Sequence, residues 1–573
     1  MIQNMKINEI LSEYPRPNFV RNSYFNLNGE WDISIQKNNA LPTSFSKKVL
    51  VPYAIETEIS GIKHCLRDDE YIIYHKQVEL PKRFKKELLY LCFEGVDQIA
   101  YIYINNVEVG SHVGGYNRFS IEISDYVTNN NFDIYVVVLD KGKNNSLPRG
   151  KQEINNGGIW YRPTSGIFKT VWLEATYKAH IKEVYFTPLI EQKAVKILVK
   201  TTCNGNVKIQ IGKENFVIKS NFEEIVKLND FNLWSFSNPY LYDVNLVFKK
   251  DKVKTYFGLR KIESKNDKNG KRRVIINKEP VFINGLLYQG YYFKGDLTPL
   301  TYKEMENDIV LIKKMGFNTL RLHIKIENEY FYYLCDKLGI LVIQDFVNGG
   351  YKYNNKITFY PGLFKDHYYR NDKNYKLFAR EDEYGRKEFV KEMSKVQEQL
   401  FNHPSVIIYT IFNEGWGQFD ANNNYEFFRN KDRTRLYDAT SGWIEQGESD
   451  FKSIHNYFYP QKNYKTKDKI YIISEFGGYS YVDGKHFYGK KKFGYRHYNS
   501  ISKLTNAYTK LYLKKIKPLI KNGLSGIIYT EFNDVEDEVN GLVTYDREIV
   551  KINIKKLNDI NNELYDEFNK SIK

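Results

Sequence analysis

From about residue 17 to 180, short apolar runs alternate with polar positions at a period of two, the spacing of half-buried strands. Examples are Glu30 to Ile35, Ala100 to Ile104 and Phe132 to Leu139, rich in β-branched and aromatic residues, with Asn105-Asn106 and Gly114-Gly115 as turns between them. The pattern predicts an all-β sandwich. A smaller strand set follows over about residues 181–274, with strands near Ala194 to Thr201, Val207 to Ile211 and Val244 to Phe248. Its size suits an immunoglobulin-like sandwich.

After about residue 275 the period changes. Thr301 and Glu304 form a capping-box pair, and Met305, Ile309, Ile312 and Met315 follow at helical spacing up to Gly316. Asn318 to His323 then reads as a strand, followed by a helix through Tyr330, Leu334 and Leu338 and the apolar run Ile340 to Phe346. A helix with Phe389, Met393, Val396 and Leu400 precedes the strand Val406 to Phe412. Strands at Ser453 to Tyr457, Ile470 to Ser474 and Gly526 to Phe532, with helices at Leu504 to Ile516 and Leu557 to Phe568, complete an alternation that predicts a (β/α)8 barrel over residues 275–573.

Composition narrows the function classes. A chain of 573 residues, 27% charged and 42% hydrophobic, has ample material for several cores. The formal net charge of +16 raises a nucleic-acid partner, but the basic clusters Lys271 to Arg273 and Lys490 to Lys492 are short. A solvated surface is the simpler reading, and lysines gathered on one face would be needed for the other. Cys65, Cys92, Cys203 and Cys335 form no CxxC pair, so neither a zinc knuckle nor a disulfide framework is indicated. Residues Met1 to Pro15 hold no apolar leader run, and a cytoplasmic location is expected. Phosphate-binding loop, GxSxG, HExxH and GxGxxG motifs are absent.

Polar residues that end barrel strands sit at the catalytic rim. Two glutamates stand out: Glu414 in Asn413-Glu414-Gly415-Trp416, and Glu475 in Ser474-Glu475-Phe476-Gly477. Each ends a buried run and precedes glycine. Two carboxylates facing one cavity are what glycosidic cleavage needs, one to protonate the leaving oxygen and one to attack the anomeric carbon or activate water. Structural carboxylates tied to rim arginines or lysines are the alternative.

The chain also resembles glycoside hydrolase family 2, the family of β-galactosidases, β-glucuronidases and β-mannosidases. The resemblance rests on Arg16-Pro17, Leu27 to Trp31, Val51-Pro52-Tyr53, Gly95-Val96-Asp97, Gly114-Gly115-Tyr116 and Gly158 to Ile167 in the first domain, and on Phe257 to Glu263 in the second. In the barrel it rests on Asn284-Gly285, Met315 to Asn318, Arg321-Leu322-His323, Cys335 to Gly339, Asn413-Glu414 and Ser474 to Gly477, all in family order. It implies a jelly-roll sandwich over residues 1–180 and a retaining exo-β-glycosidase, most of all β-galactosidase-like. Glu414 would be its general acid/base, Glu475 its nucleophile and Asn413 the partner of the sugar 2-hydroxyl. Tyr457 resembles the tyrosine that bonds the nucleophile.

Around these, Arg321 is expected to fix the charge of Glu475, with His323 beside it. His455 would touch the glycone or support Tyr457, Asp345 and Glu531 would contact sugar, and Trp416 and Trp160 offer stacking faces. The stretch Glu538-Val539-Asn540 lacks the lysine of the glucuronidase Asn-x-Lys-Gly element, which disfavours a uronide. The stretch Val347 to Tyr351 lacks the magnesium ligands of large β-galactosidases, so no cofactor or metal is expected. No clear counterpart of the first-domain acid of some relatives appears near Gly157 to Tyr161. A β-mannoside or pentopyranoside, and a non-catalytic carbohydrate-binding protein, stay open. The substrate would be a small glycoside or oligosaccharide, with rim loops at Asn354 to Asn374 and Asn422 to Asn430 favouring exo-action. Relatives commonly assemble as homo-oligomers, and neither nucleic acid nor membrane is an expected partner.

Overall fold

The computed structural model describes residues 10–81, 84, 86–363 and 370–573. The first unit is a two-sheet antiparallel sandwich. One sheet has six strands in the spatial order 47–51, 29–36, 71–79, 131–139, 99–104 and 107–113, and the other has four. Strand Ile99–Ile104 buries every second side chain against that core, as its period-two pattern requires. The second unit packs a three-stranded sheet (181–189, 194–201, 223–227) on a four-stranded one (214–219, 206–211, 242–248, 251–257), and the alternating residues Ile197, Val199, Ile209 and Leu246 fill the core between them.

Eight parallel strands form the third unit: Ile283–Tyr288, Thr319–Leu322, Leu341–Asp345, Val406–Asn413, Leu436–Ser441, Phe451–Asn456, Ile470–Gly477 and Leu524–Thr530. Neighbours in sequence order are paired everywhere except between the fifth and sixth strands, and the eighth strand pairs with the first. The fifth and sixth meet through Ser441 and Ser453, whose hydroxyls lie 3.1 Å apart, so the sheet curls into a nearly closed barrel. A small antiparallel sheet over 262–281 covers its foot, where buried Arg273 pairs with Asp267 at 2.8 Å and donates to the Leu524 carbonyl.

Two local expectations need correction. Helix Tyr302–Lys314 starts after Thr301, but the Thr301 side chain makes no cap bond; the Glu304 carboxylate takes the Leu300 N–H at 2.9 Å instead. Residues 422–430 are no rim loop: they lie in helix Ala421–Lys431, which buries Tyr425 and Phe428. Of the other rim segment, 364–369 lie outside the described residues, and its first part packs over Trp443, which a Cβ on Gly362 would meet at 2.9 Å.

The segment 146–161 of the first unit runs over the barrel mouth. Arg149 and Gly150 donate to the Asn348 carbonyl at 2.9 and 3.1 Å, and Arg380 donates to the Ser146 carbonyl. Gly150 has φ +70°, and a Cβ there would lie 2.9 Å from the Ile324 carbonyl, so only glycine lets the segment come this close.

Candidate active site

The barrel strands bring the two glutamates together. Glu414 follows the fourth strand with φ 49°, a left-handed conformation that costs a non-glycine residue energy, and its N–H is held by the Ser441 carbonyl at 2.9 Å. Glu475 lies within the seventh strand, where register irregularities in both ladders bring it opposite His455 of the sixth. Such bulges re-aim side chains beside active sites. One oxygen each of Glu414 and Glu475 and a ring nitrogen of His455 all lie within 4.8 Å of one another.

Each carboxylate has a distinct set of partners. Glu475 receives Arg321 Nη1 on Oε1 at 3.0 Å and the Tyr457 hydroxyl on Oε2 at 2.6 Å. Glu414 faces His455 Nδ1 at 2.7 Å. Arg321 Nη1 also points at His455 Nε2, at 3.3 Å, so Nε2 accepts and Nδ1 carries the hydrogen that Glu414 receives. Burial, and then the charge of Glu475, push the Glu414 pKa well above the carboxylate range. Burial also raises Glu475, to about 7, against the pull of Arg321 and Tyr457. The pair thus favours a proton on Glu414 and a charge on Glu475.

Arg321 organises the floor. Its Nε donates to Asp345 Oδ1 at 2.9 Å, and its Nη2 donates to Asn413 Oδ1 at 2.7 Å, leaving Asn413 Nδ2 buried without a partner among the described residues. His323 Nδ1 lies 2.9 Å from Asp345 Oδ2. Burial lowers the His323 pKa to about 3, so its ring is neutral. Asp345 resists burial because Arg321 and His323 hold it below the usual range. Both its oxygens are engaged by Arg321 and His323.

The remaining residues divide between rim and interior. Trp416 lies 6.3 Å from the His323 ring, and Trp160 of the first unit packs 5.1 Å from Trp416. Tyr457 also bonds Thr530 at 2.9 Å and stacks on Tyr495 at 3.8 Å. His455 supports Glu414 rather than Tyr457, with its side chain fully enclosed. Glu531 follows the eighth strand, wholly buried, with both oxygens unpartnered among the described residues. Burial and then Glu538 hold its pKa well above the carboxylate range.

Sequence reasoning missed Lys151, which the first unit's segment inserts beside the barrel. Its Nζ lies 3.2 Å from the Tyr161 hydroxyl and 3.7 Å from Glu538, and its charge lowers the pKa of Glu414, Glu475 and Glu531 alike. An irregular segment carries no periodicity to flag such a residue. The absence of a lysine at Glu538 to Asn540 is therefore not the absence of an ammonium from the site. Glu414, His455 and Glu475 have metal-ligand geometry, but the Arg321 guanidinium already neutralises Glu475 and would repel a cation, so the group does not fit one.

Comparisons with known proteins agree along the chain. Residues 26–176 match the glycosyl hydrolases family 2 sugar binding domain, 179–260 match glycosyl hydrolases family 2, and 269–549 match the family 2 TIM barrel domain. A β-galactosidase of Thermoanaerobacter pseudethanolicus is 26% identical over 80% of this chain and 61% of its own length. A β-glucuronidase of Streptococcus agalactiae is 24% identical over 70% and 68%. The chain spans 61% or less of the length of the first three such curated relatives. Among solved structures, a β-D-glucuronidase of Dictyoglomus thermophilum superposes with TM-score 0.73 at 18% identity, over 96% of this chain and 98% of that one. A β-galacturonidase of Eisenbergiella tayi gives 0.68 at 17%, over the same shares. At these identities the structural likeness speaks to the fold.

Proposed function

The chain belongs to glycosyl hydrolases family 2, and we propose that it is a retaining exo-β-glycosidase. The observation that carries the reading is the separation of the carboxylates: oxygens of Glu414 and Glu475 within 4.8 Å. Retaining enzymes hold their carboxyl groups about 5–5.5 Å apart, whereas inverting ones need about 6.5–9.5 Å for a water. Glu475, charged and oriented by Arg321 and Tyr457, attacks the anomeric carbon while Glu414 gives its proton to the leaving oxygen. Glycosylation removes the Glu475 charge, which lowers the Glu414 pKa and turns it into the base that activates water. The unpartnered Asn413 Nδ2 donates to the sugar 2-hydroxyl. The rim packing over Trp443 supports action at chain ends.

For the glycone, the first reading is a neutral β-galactoside, which the first relative named supports. A β-uronide is the second reading, favoured by the Lys151 ammonium beside the site. The test is release from p-nitrophenyl β-glycosides and β-uronides, with Glu475→Gln and Glu414→Ala alongside. Turnover of one β-glycoside that collapses in Glu475→Gln and returns with azide in Glu414→Ala supports the mechanism and identifies the glycone. Sugar binding without turnover would instead support a non-catalytic carbohydrate-binding protein.

A further inference from the structure

Beside the catalytic mouth lies an open groove of about 650 Å³. One wall is the segment Asn456 to Gln461 after the sixth barrel strand, and the other is helix Ile501–Leu511 with its continuation Tyr512–Ile516. Lys503, Lys510 and Lys514 recur at i, i+7 and i+11, one face of a helix, and Arg496 and Lys515 join them. The wider π-type turn at Tyr512–Ile516 leaves Lys514 and Lys515 both exposed. Among the described residues, no carboxylate lines the groove and none of these five cations makes an ion pair. The contrast with the next turn is direct: Lys517 pairs with Glu563 at 2.9 Å and Lys521 with Glu567 at 3.5 Å.

The same groove offers aromatic surface. Tyr479 and Tyr498 line it 5.5 Å apart, Arg496 lies 5.7 Å over the Tyr479 ring, and Phe458 is 48% exposed at its edge. Tyr457 forms a shared wall: it lines the groove, and its hydroxyl holds Glu475. Unneutralised cations beside ring faces suit an anionic chain of flat, polar rings.

We infer that this groove binds an anionic oligosaccharide strand, carboxylated or sulfated, at a site beside the catalytic pocket and joined to it along the wall that Tyr457 provides. Continuity with a carbohydrate site favours a saccharide over single-stranded nucleic acid, which cations and aromatics also attract. The groove holds the strand by charge and stacking, and so keeps the catalytic mouth on anionic glycan surfaces.

The test is fluorescence-anisotropy titration of the full chain with labelled oligogalacturonate, a heparin-derived sulfated oligosaccharide, a neutral oligosaccharide of equal length and a single-stranded oligonucleotide of equal charge. The expected result is salt-sensitive binding of at least one anionic saccharide, with the first two arms identifying carboxylate or sulfate. Lys510→Glu with Lys514→Glu should weaken it about tenfold or more, and Phe458→Ala less, while the thermal midpoint and p-nitrophenyl glycoside turnover stay unchanged. Equal binding of the neutral sugar, tighter binding of the oligonucleotide, no binding of either anionic saccharide, or indifference to the double substitution would overturn the proposal. The readout does not need turnover, so an enzyme silent on every glycoside would refute the glycosidase reading and leave this one to stand or fall alone.

Discussion

His455 Nδ1 lies 2.7 Å from Oε1 of Glu414, while its Nε2 receives Arg321 from the opposite side. The imidazole thus connects the residue that carries the proton to the cation that fixes the charge. A donor on Glu414 favours its ionised form, so His455→Ala should raise the Glu414 pKa and move the alkaline limb of the kcat/KM profile to higher pH. The rate at the optimum should fall about tenfold. An unmoved alkaline limb would show that the ring serves packing alone.

Lys151→Met removes a positive charge that lowers the pKa of both Glu414 and Glu475. Both limbs of the pH profile should shift upward together, by about one unit. If Lys151 also receives a uronate, KM for a β-uronide should rise far more than KM for a neutral β-glycoside. A pH–rate series on both substrates reads the two effects separately.

Asp345→Asn takes away an anion whose repulsion raises the Glu475 pKa and whose bonds fix Arg321 and His323. The acid limb, set by Glu475 at about 7, should move to lower pH while kcat falls about 10- to 100-fold. KM should change less than kcat if Asp345 acts through Arg321 and His323, whose bonds it accepts. A fall confined to KM would contradict this positioning role.

Stability carries its own pH signature at the junction of the first unit and the barrel. Burial raises Glu392 to about 8, even though its Oε1 accepts the Tyr116 N–H at 2.7 Å. The folded chain keeps a proton that the unfolded chain releases above about pH 4.5, so stability falls as pH rises from there toward 8. Glu392→Gln should flatten that decline and raise the thermal midpoint at pH 8 by about 2 °C or more. Calorimetry between pH 5 and 8 measures it, and parallel curves for the two proteins would refute it.

The parts of this architecture that repeat were readable from the chain. Strand Ala194–Thr201 occurs as its alternation predicts, and Val406–Asn413 and Ile470–Gly477 extend the predicted apolar runs far enough to include Asn413 and Glu475. The first and fifth barrel strands are not among those the pattern predicts: Asn284-Gly285 interrupts Ile283–Tyr288, and Leu436–Ser441 interleaves Asp438, Thr440 and Ser441 with few apolar residues. Asp438 is buried, which raises it to about 6, and Ser441 reaches Ser453 of the sixth strand. Contacts between distant segments were the least legible. Nothing in the spacing of Lys151, Tyr161 and Glu538 announces that they meet, because their encounter depends on how one unit lies across another.

The seam at Arg149 and Gly150 has a consequence for modularity. A barrel severed from the sandwich would retain Glu414, Glu475 and Arg321 yet lose Lys151 and Trp160 in one stroke. The folding boundary and the working boundary of this chain therefore do not coincide. A library that recombines its units as independent cassettes should yield soluble proteins whose chemistry fails at the junction, and swaps that carry residues 146–161 along with the barrel should be the ones that survive.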